Sequence, residues 1–418
     1  MYSDAFSILF VGFLIVTVLV RLWLTTRHIR HVLAHRSAVP AQFAEKIPLA
    51  AHQKAADYTV AKSKLGLIML LVNAAVLIGF TLLGGLQWLS VTILDITGPG
   101  MAHQIGLIAA FAVISGIIEL PVEYYTQFVL EARFGFNKMS LGLFIADRVK
   151  GILLGAAIGF PLIWVILTLM EKSGDLWWLY AWLVWTGFQL LMLVLYPTVI
   201  APMFNKFTPL DDDSLRARIE NLMKRVGFAS KGLFVMDGSK RSAHGNAYFS
   251  GFGSAKRIVF FDTLLSRLAP QEIEAVLAHE LGHFKLKHIL KRIVVMFAVS
   301  LAFLALLGFL KNQVWFYTGL GVVPMMGASN DAMALILFML VLPVFTFLLS
   351  PLTSISSRKH EFEADAFAAK HSNAQDLVSA LVKLYEDNAS TLTPDPLHSA
   401  FYDSHPPATV RINKLLAA

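Results

Sequence analysis

Seven stretches of roughly 18 or more mainly apolar residues, at about 5–24, 65–95, 104–130, 149–170, 176–200, 289–311 and 331–352, constrain this chain more than any other feature. As a helix, each can cross a hydrocarbon layer about 30 Å thick with its backbone hydrogen bonds satisfied internally. Composition agrees, because 56% of the residues are hydrophobic and only 15% charged, which a soluble domain of 418 residues does not carry. The chain reads as a mainly α, polytopic membrane protein. The second and third stretches run long and are expected to tilt or project. MYSDAFSILF has neither a basic n-region nor a small-residue cleavage site, so the first stretch reads as a retained helix.

Lysine and arginine set the orientation. The segment between the first two stretches carries Arg27, Arg30, Arg36, Lys46, Lys54, Lys62 and Lys64, and the next connection on that side carries Arg133, Lys138 and Arg148. The opposite connections, around 96–103, 171–175 and 312–330, hold at most an isolated lysine. This predicts an N-terminus outside and a C-terminus in the cytoplasm. The net charge of +7 then belongs to a collar facing the membrane. Basic residues do not alternate with aromatic ones, so no nucleic-acid partner is expected. With no cysteine, disulfides and thiolate metal ligands are excluded, and histidine and carboxylates must hold any metal.

The segments long enough to fold beyond the bilayer are 25–64, 201–288 and 353–418, all on the cytoplasmic side. Without a repeat or linker, one integrated unit over 1–418 is expected: five spans in 1–200, a segment 201–288, spans six and seven in 289–352, and a C-terminal segment 353–418. DDDSLRARIENLMKRVGF (211–228) has the spacing of a surface helix, with Asp213 or a neighbour as its cap. LFVMD (233–237), NAYFSGF (246–252) and RIVFFD (257–262) read as short strands of a small β-sheet. APQEIEAVLAHELGHFKLKH (269–288) then returns to helical periodicity, with Pro270 at a first-turn position.

That last helix carries the chemistry. His279 and His283 lie one turn apart on one face and can offer ring nitrogens to one zinc ion, with Glu280 beside them to take a proton from an activated water. With thirteen histidines and twelve glutamates, about 0.01 chance matches to this three-residue pattern are expected. A catalytic zinc takes three protein ligands and keeps one position open. The third is sought in SISSRKHEFEADAFAAKH, a predicted helix after the seventh span, which two spans bring back to the same side. Glu361 and Asp365 stand one turn apart there, so one can ligate while the other orients a ligating histidine; Glu363 is the rival ligand.

These residues and their flanks resemble the type I CAAX prenyl endopeptidases, the a-factor-converting zinc metalloproteases. YPTVIAPMFNKFTPL (196–210), GSKRSAHGNAYFSGF (238–252), KRIVFFDTLL (256–265), AHELGHFKLKH (278–288), SRKHEFEADAFA (357–368), SHPPATVRI (404–412) and EYYTQFVLEARFGFN (123–137) look like that family's blocks. The resemblance implies seven helices forming a barrel around an intramembrane chamber, capped by a cytoplasmic zinc protease region. It implies His279, His283 and Glu361 as ligands of one Zn2+ per chain, Glu280 as general base, and Asp365 as a supporting acid or proton donor. It favours His405, in SHPP, as a hydrogen-bond donor to the oxyanion, with Arg411 bracing the site on the substrate side. Asn246, Ala247 and Tyr248 would form an edge strand that pairs with an extended peptide or protein substrate, prenylated or membrane-associated. Glu119 and Glu123, costly in lipid, would face a hydrated interior or neighbouring helices. Two further readings compete: a quality-control endopeptidase of the HtpX type, and a transporter or channel with a structural zinc. Short outer connections and the absence of a dilysine tail favour a bacterial inner membrane over the endoplasmic reticulum.

Overall fold

Backbone groups in hydrocarbon must pair within their own segment, and the apolar runs do so as helices. In the computed structural model, which describes residues 1–230, 232–250 and 257–417, seven helical segments are long and apolar enough to cross a membrane. They comprise α1 (Tyr2–Ala34), α2 (Leu49–Phe80), then, after the shorter α3 (Gly85–Thr97), α4 (Met101–Tyr125), α5 (Leu141–Lys172) and α6 (Trp177–Leu195). Both α4 and α6 continue through π-helical turns, Thr126–Glu131 and Tyr196–Ile200.

One expectation is corrected. The span predicted over 65–95 is two elements: α2 stops at Phe80, Gly84 turns the chain at φ 79°, and α3 packs back on α4. No charged residue marks that break; Thr81 and the Gly84–Gly85 pair are its signs. The basic connection over 25–64 is mostly helix, since α1 runs to Ala34 and α2 starts at Leu49. Arg36 grips Asp57 through two hydrogen bonds of 2.7 and 2.8 Å there.

Beyond the fifth span come β1 (Phe207–Pro209), α7 (Asp213–Arg225), β2 (Leu233–Met236), β3 (Ala247–Ser250) and β4 (Arg257–Phe261). The cap of α7 is Asp212, whose carboxylate accepts from the Leu215 amide at 2.9 Å. Among the described residues the sheet order is β1-β2-β4-β3, with β2 parallel to β4 and the other pairs antiparallel. The three predicted strands are present, although Gly251 and Phe252 of 246–252 lie outside the described residues; β1 was not predicted. The helix α8 (Pro270–Lys285) begins at Pro270, and the Glu272 carboxylate accepts from the Ala269 amide at 2.7 Å. Lys287, at φ 58°, separates α8 from the sixth span, α9 (His288–Leu310). The seventh span, α10 (Asp331–Thr346), continues through a short 3-10 turn into α11 (Ser350–His371), followed by α12 (Ala374–Asp387), α13 (Pro396–Tyr402) and α14 (Ala408–Leu416).

The two sets of connections sort to opposite ends of the molecule. At one end Ser7 donates to the Gly319 carbonyl at 2.7 Å, while Lys311 reaches Asp331 at 2.9 Å and the Met170 carbonyl at 2.8 Å. At the other, Arg27 meets Asp395 at 2.8 Å and Arg241 meets Asp147 at 2.9 Å. Each end has its own hydrophobic core, one built on α8, α12 and the sheet, the other on residues such as Phe10, Trp177 and Phe316. Between them the spans are thinly packed: none of the most apolar window of α2 or of the fifth span is buried. A helix of a solid bundle buries a full face, so windows with no fully buried residue fit helices that have lipid on one side and open space on the other. A cavity of about 350 Å3 at this level is lined by Thr17, Arg21, Asn73 and Glu119. Glu123 instead pairs with Arg148.

Candidate metal centre

Backbone contact between α8 and α11 builds the site. A Cβ on Gly282 would lie 3.0 Å from Ala364 Cα and 3.1 Å from Phe367 Cβ, so only glycine lets the two helices close this far. On one side of this contact stand His279 and His283; on the other stands Glu361. His279 Nε2 and His283 Nε2 are 3.2 Å apart, and Glu361 reaches them at 3.4 Å (Oε2) and 3.3 Å (Oε1).

This spacing is close to that of ligands, since two donors about 2.0–2.2 Å from a tetrahedral ion are separated by about 3.3–3.6 Å. Glu361 Oε2 is buried without a hydrogen-bond partner, because His279 and, at 3.7 Å, Arg411 Nη1 lie outside hydrogen-bond geometry. A buried carboxylate oxygen left unbonded among two imidazoles is costly in protein alone and is satisfied by a cation. Two imidazoles and a carboxylate, without sulfur, suit zinc, with an open fourth position. The donor set fits the metal that the motif predicts.

Around these donors the other residues fall into place. Burial would push the His279 imidazole down, but the Asp365 carboxylate that accepts from its Nδ1 and the neighbouring Glu361 carboxylate outweigh it and its pKa is pushed up to about 9, so the position draws positive charge. Asp365 Oδ1 accepts from His279 Nδ1 at 2.8 Å, which directs Nε2 to the ligand position. Arg411, 5% exposed, holds Asp365 with two hydrogen bonds of 2.6 and 2.9 Å. Burial raises the Glu280 carboxyl above the ordinary glutamate range, against the pull of His279 and His283. His405 Nε2 is 3.4 Å from Glu361 Oε1, and its Nδ1 lies 3.0 Å from the Ser404 hydroxyl, which can donate to Nδ1 when the ring proton is on Nε2.

These groups open on a cavity of about 610 Å3 lined by Asn246, Ala247, Glu280, Tyr385, His405 and Arg411 among others. β3 stands at an edge of the sheet: among the described residues it has β4 on one side and no strand on the other. Tyr248 does not line the cavity but packs edge-on against Phe261. Glu363, the rival ligand, faces away from Glu361 and binds His288 at 2.8 Å. Three residues here escaped the sequence: His288, Tyr385, and Asn388, whose Oδ1 accepts from the Gly245 amide at 3.2 Å and fixes the approach to β3. The last two belong to no motif, and only the packing of α12 against α8 brings them in.

Residues 28–206 match the family described as CAAX prenyl protease N-terminal, five membrane helices, and residues 209–418 match peptidase family M48. CAAX prenyl protease 1 of Saccharomyces cerevisiae is 35% identical over 90% of this chain and 88% of its own length. The CAAX prenyl protease 1 homolog of Arabidopsis thaliana is 41% identical over 75% of this chain and 73% of its own. The crystal structure of S. mikatae Ste24p superposes with a TM-score of 0.90 at 31% identity, covering 98% of this chain and 99% of that one.

Proposed function

This chain belongs to peptidase family M48 and is an integral-membrane metalloendopeptidase, and from that premise we propose that its metal is one zinc ion held by His279, His283 and Glu361, that Glu280 is its general base, and that prenylated CAAX-type proteins are its substrates. The observation that carries the reading is the buried, unbonded Glu361 oxygen among ligand-spaced donors, beside a cavity that Glu280 enters. The other readings, a quality-control peptidase or a transporter with a structural zinc, have no comparable observation behind them.

When bound, zinc supplies Lewis acidity to a water and to the scissile carbonyl. Glu280 takes the proton of the attacking water and returns it to the leaving amine. His405 donates from Nε2 to the oxygen on which charge develops. Asp365, held by Arg411, keeps His279 in the tautomer that exposes Nε2 to the metal. β3 offers its free edge to the peptide. Its other edge faces β4, where the Phe261 amide donates to the Asn246 carbonyl at 3.0 Å; by antiparallel alternation the amide and carbonyl of Ala247 then point outward, towards substrate. Meanwhile the Ala247 amide is engaged by the Asn246 side chain at 2.8 Å, which a substrate strand displaces.

The basic end of the molecule carries this site and faces the cytoplasm in our reading, an orientation shared by a bacterial inner membrane and the endoplasmic reticulum. The test is cleavage of a farnesylated CAAX peptide, its unprenylated counterpart and an unfolded membrane protein by the purified chain, each with and without chelator. The farnesylated peptide is expected to be cut fastest, with activity lost to chelator and restored by zinc. Equal rates on both peptides, with the unfolded protein preferred, would overturn the substrate assignment.

A further inference from the structure

A second group of donors, His288, His360 and Glu363, lies behind the first, close enough together to suggest another metal. Its spacing argues otherwise. His288 Nε2 and Glu363 Oε2 are 2.8 Å apart, a hydrogen-bond distance and well short of the 3.2–3.4 Å between the donors of the first site. The His288 and His360 rings are stacked at 4.1 Å and 11°, so their in-plane nitrogens run side by side instead of converging on a point. The unused Nδ1 of His288 lies 3.1 Å from Nδ1 of His283.

We propose that Glu363 and His288 form a positioning relay that fixes His283 as an Nε2 ligand, an inference that rests on reading His283 as a metal ligand. The proton positions follow from one another. A neutral His283 that ligates through Nε2 carries its proton on Nδ1 and donates it to Nδ1 of His288. That nitrogen must then be the bare one, so His288 carries its own proton on Nε2 and donates it to Glu363. Each ligating histidine is thus backed by a carboxylate, His279 directly by Asp365 and His283 through an intervening imidazole. The left-handed turn at Lys287 makes the relay possible. His288 is five residues beyond His283, off its face in a continuous helix, and the change of direction between α8 and α9 brings the rings together.

The test uses the full-length chain in detergent, with cobalt(II) as a spectroscopic probe and zinc in competition with a chelator. His288→Leu and Glu363→Leu are expected to weaken metal binding by about 10–100-fold and to shift the cobalt d–d bands. In His288→Asn, Oδ1 stands where Nδ1 stood and still accepts from His283, so most of the affinity is expected to return. In Glu363→Gln an acceptor oxygen remains, and the loss is expected to be several-fold smaller than in Glu363→Leu. His360→Ala should leave metal stoichiometry and affinity unchanged. A buried His288→Leu can fail to fold, so Glu363→Leu, at a side chain 36% exposed, carries the decision in that case. Wild-type affinity and spectrum in a folded leucine variant would overturn the relay. Two metals per chain, one lost in His360→Ala, would overturn it in favour of a second site. A wild-type chain that binds neither cobalt nor zinc would instead overturn the metal assignment on which the relay rests.

Discussion

Glu280 shows how much one residue decides here. It lines the cavity and is not one of the ligand-spaced donors, so its conversion to glutamine removes a proton acceptor and keeps the donor set. Glu280→Gln is expected to lower kcat/KM on a cleaved peptide by about 10²–10⁴-fold with bound metal unchanged, measured by steady-state kinetics beside elemental analysis. Metal lost in parallel with activity would make Glu280 a structural residue. At this scale the sequence was legible where chemistry imposes a spacing: two histidines four apart and a glutamate between them have few other uses. It was less legible on α11, where Glu361, Glu363 and Asp365 are all carboxylates near one another and only the pose of the helix separates ligand, relay and support. His288 was hidden for another reason. Its role depends on a backbone turn at a lysine, and no residue type announces a lysine at positive φ.

Single contacts between elements hold the site in register. Gly282→Ala forces α8 and α11 apart, since the added methyl meets Ala364 backbone and not the end of a flexible side chain. It is expected to cost about 1–3 kcal/mol in thermal or denaturant unfolding and to loosen the metal in the same protein. On β3, Ala247→Pro removes an amide that points away from β4, so the sheet should survive while peptide cleavage falls at constant metal content; full activity would mean that substrate does not pair with this edge. A third contact joins α1 to α13: His398 stacks on His28 at 4.0 Å, beside the fully buried Asp395. Burial, helped by His28, lowers the His398 pKa from 6.5 to about 4 against the attraction of Asp395. The unfolded chain therefore binds a proton that the folded chain refuses between these values. Stability contributed by this junction is complete above about pH 6.5 and declines as pH falls towards 4. His398→Phe should flatten the melting temperature across that window; an unchanged profile would show that another group governs it. Elements were legible in proportion to their apolar signal. All seven spans and three strands stand out, but the break after α2 lies inside a continuous apolar run, and β1 is too short and contains a proline.

Across the whole molecule, two membrane spans lie between His283 and Glu361, so the proposed metal site closes a loop of chain that runs through the bilayer and back. Such a site couples the two halves of the protein thermodynamically. Metal that binds the folded chain and not the unfolded one adds RT ln(1 + [L]/Kd) of stability, about 4 kcal/mol when free metal is a thousandfold above Kd. The thinly packed middle of the barrel makes this contribution matter. With one core at each end and two spans whose most apolar windows are unburied between them, few contacts at mid-height add to the packing that holds α8 against α11. A detachable soluble enzyme on a membrane anchor would behave differently, since its ligands would come from one continuous domain and its spans would not sense the metal. Chelator is therefore expected to lower the melting temperature of the detergent-solubilised chain and to increase hydrogen exchange along α9 and α10 as well as at the ligands. The same treatment should do nothing to Glu361→Leu, which has already lost the closing ligand, while Glu280→Gln should respond as the wild type does. Exchange that changes only in α8 and α11 would show that the spans are mere connectors, and that the site and the barrel fold as separate units.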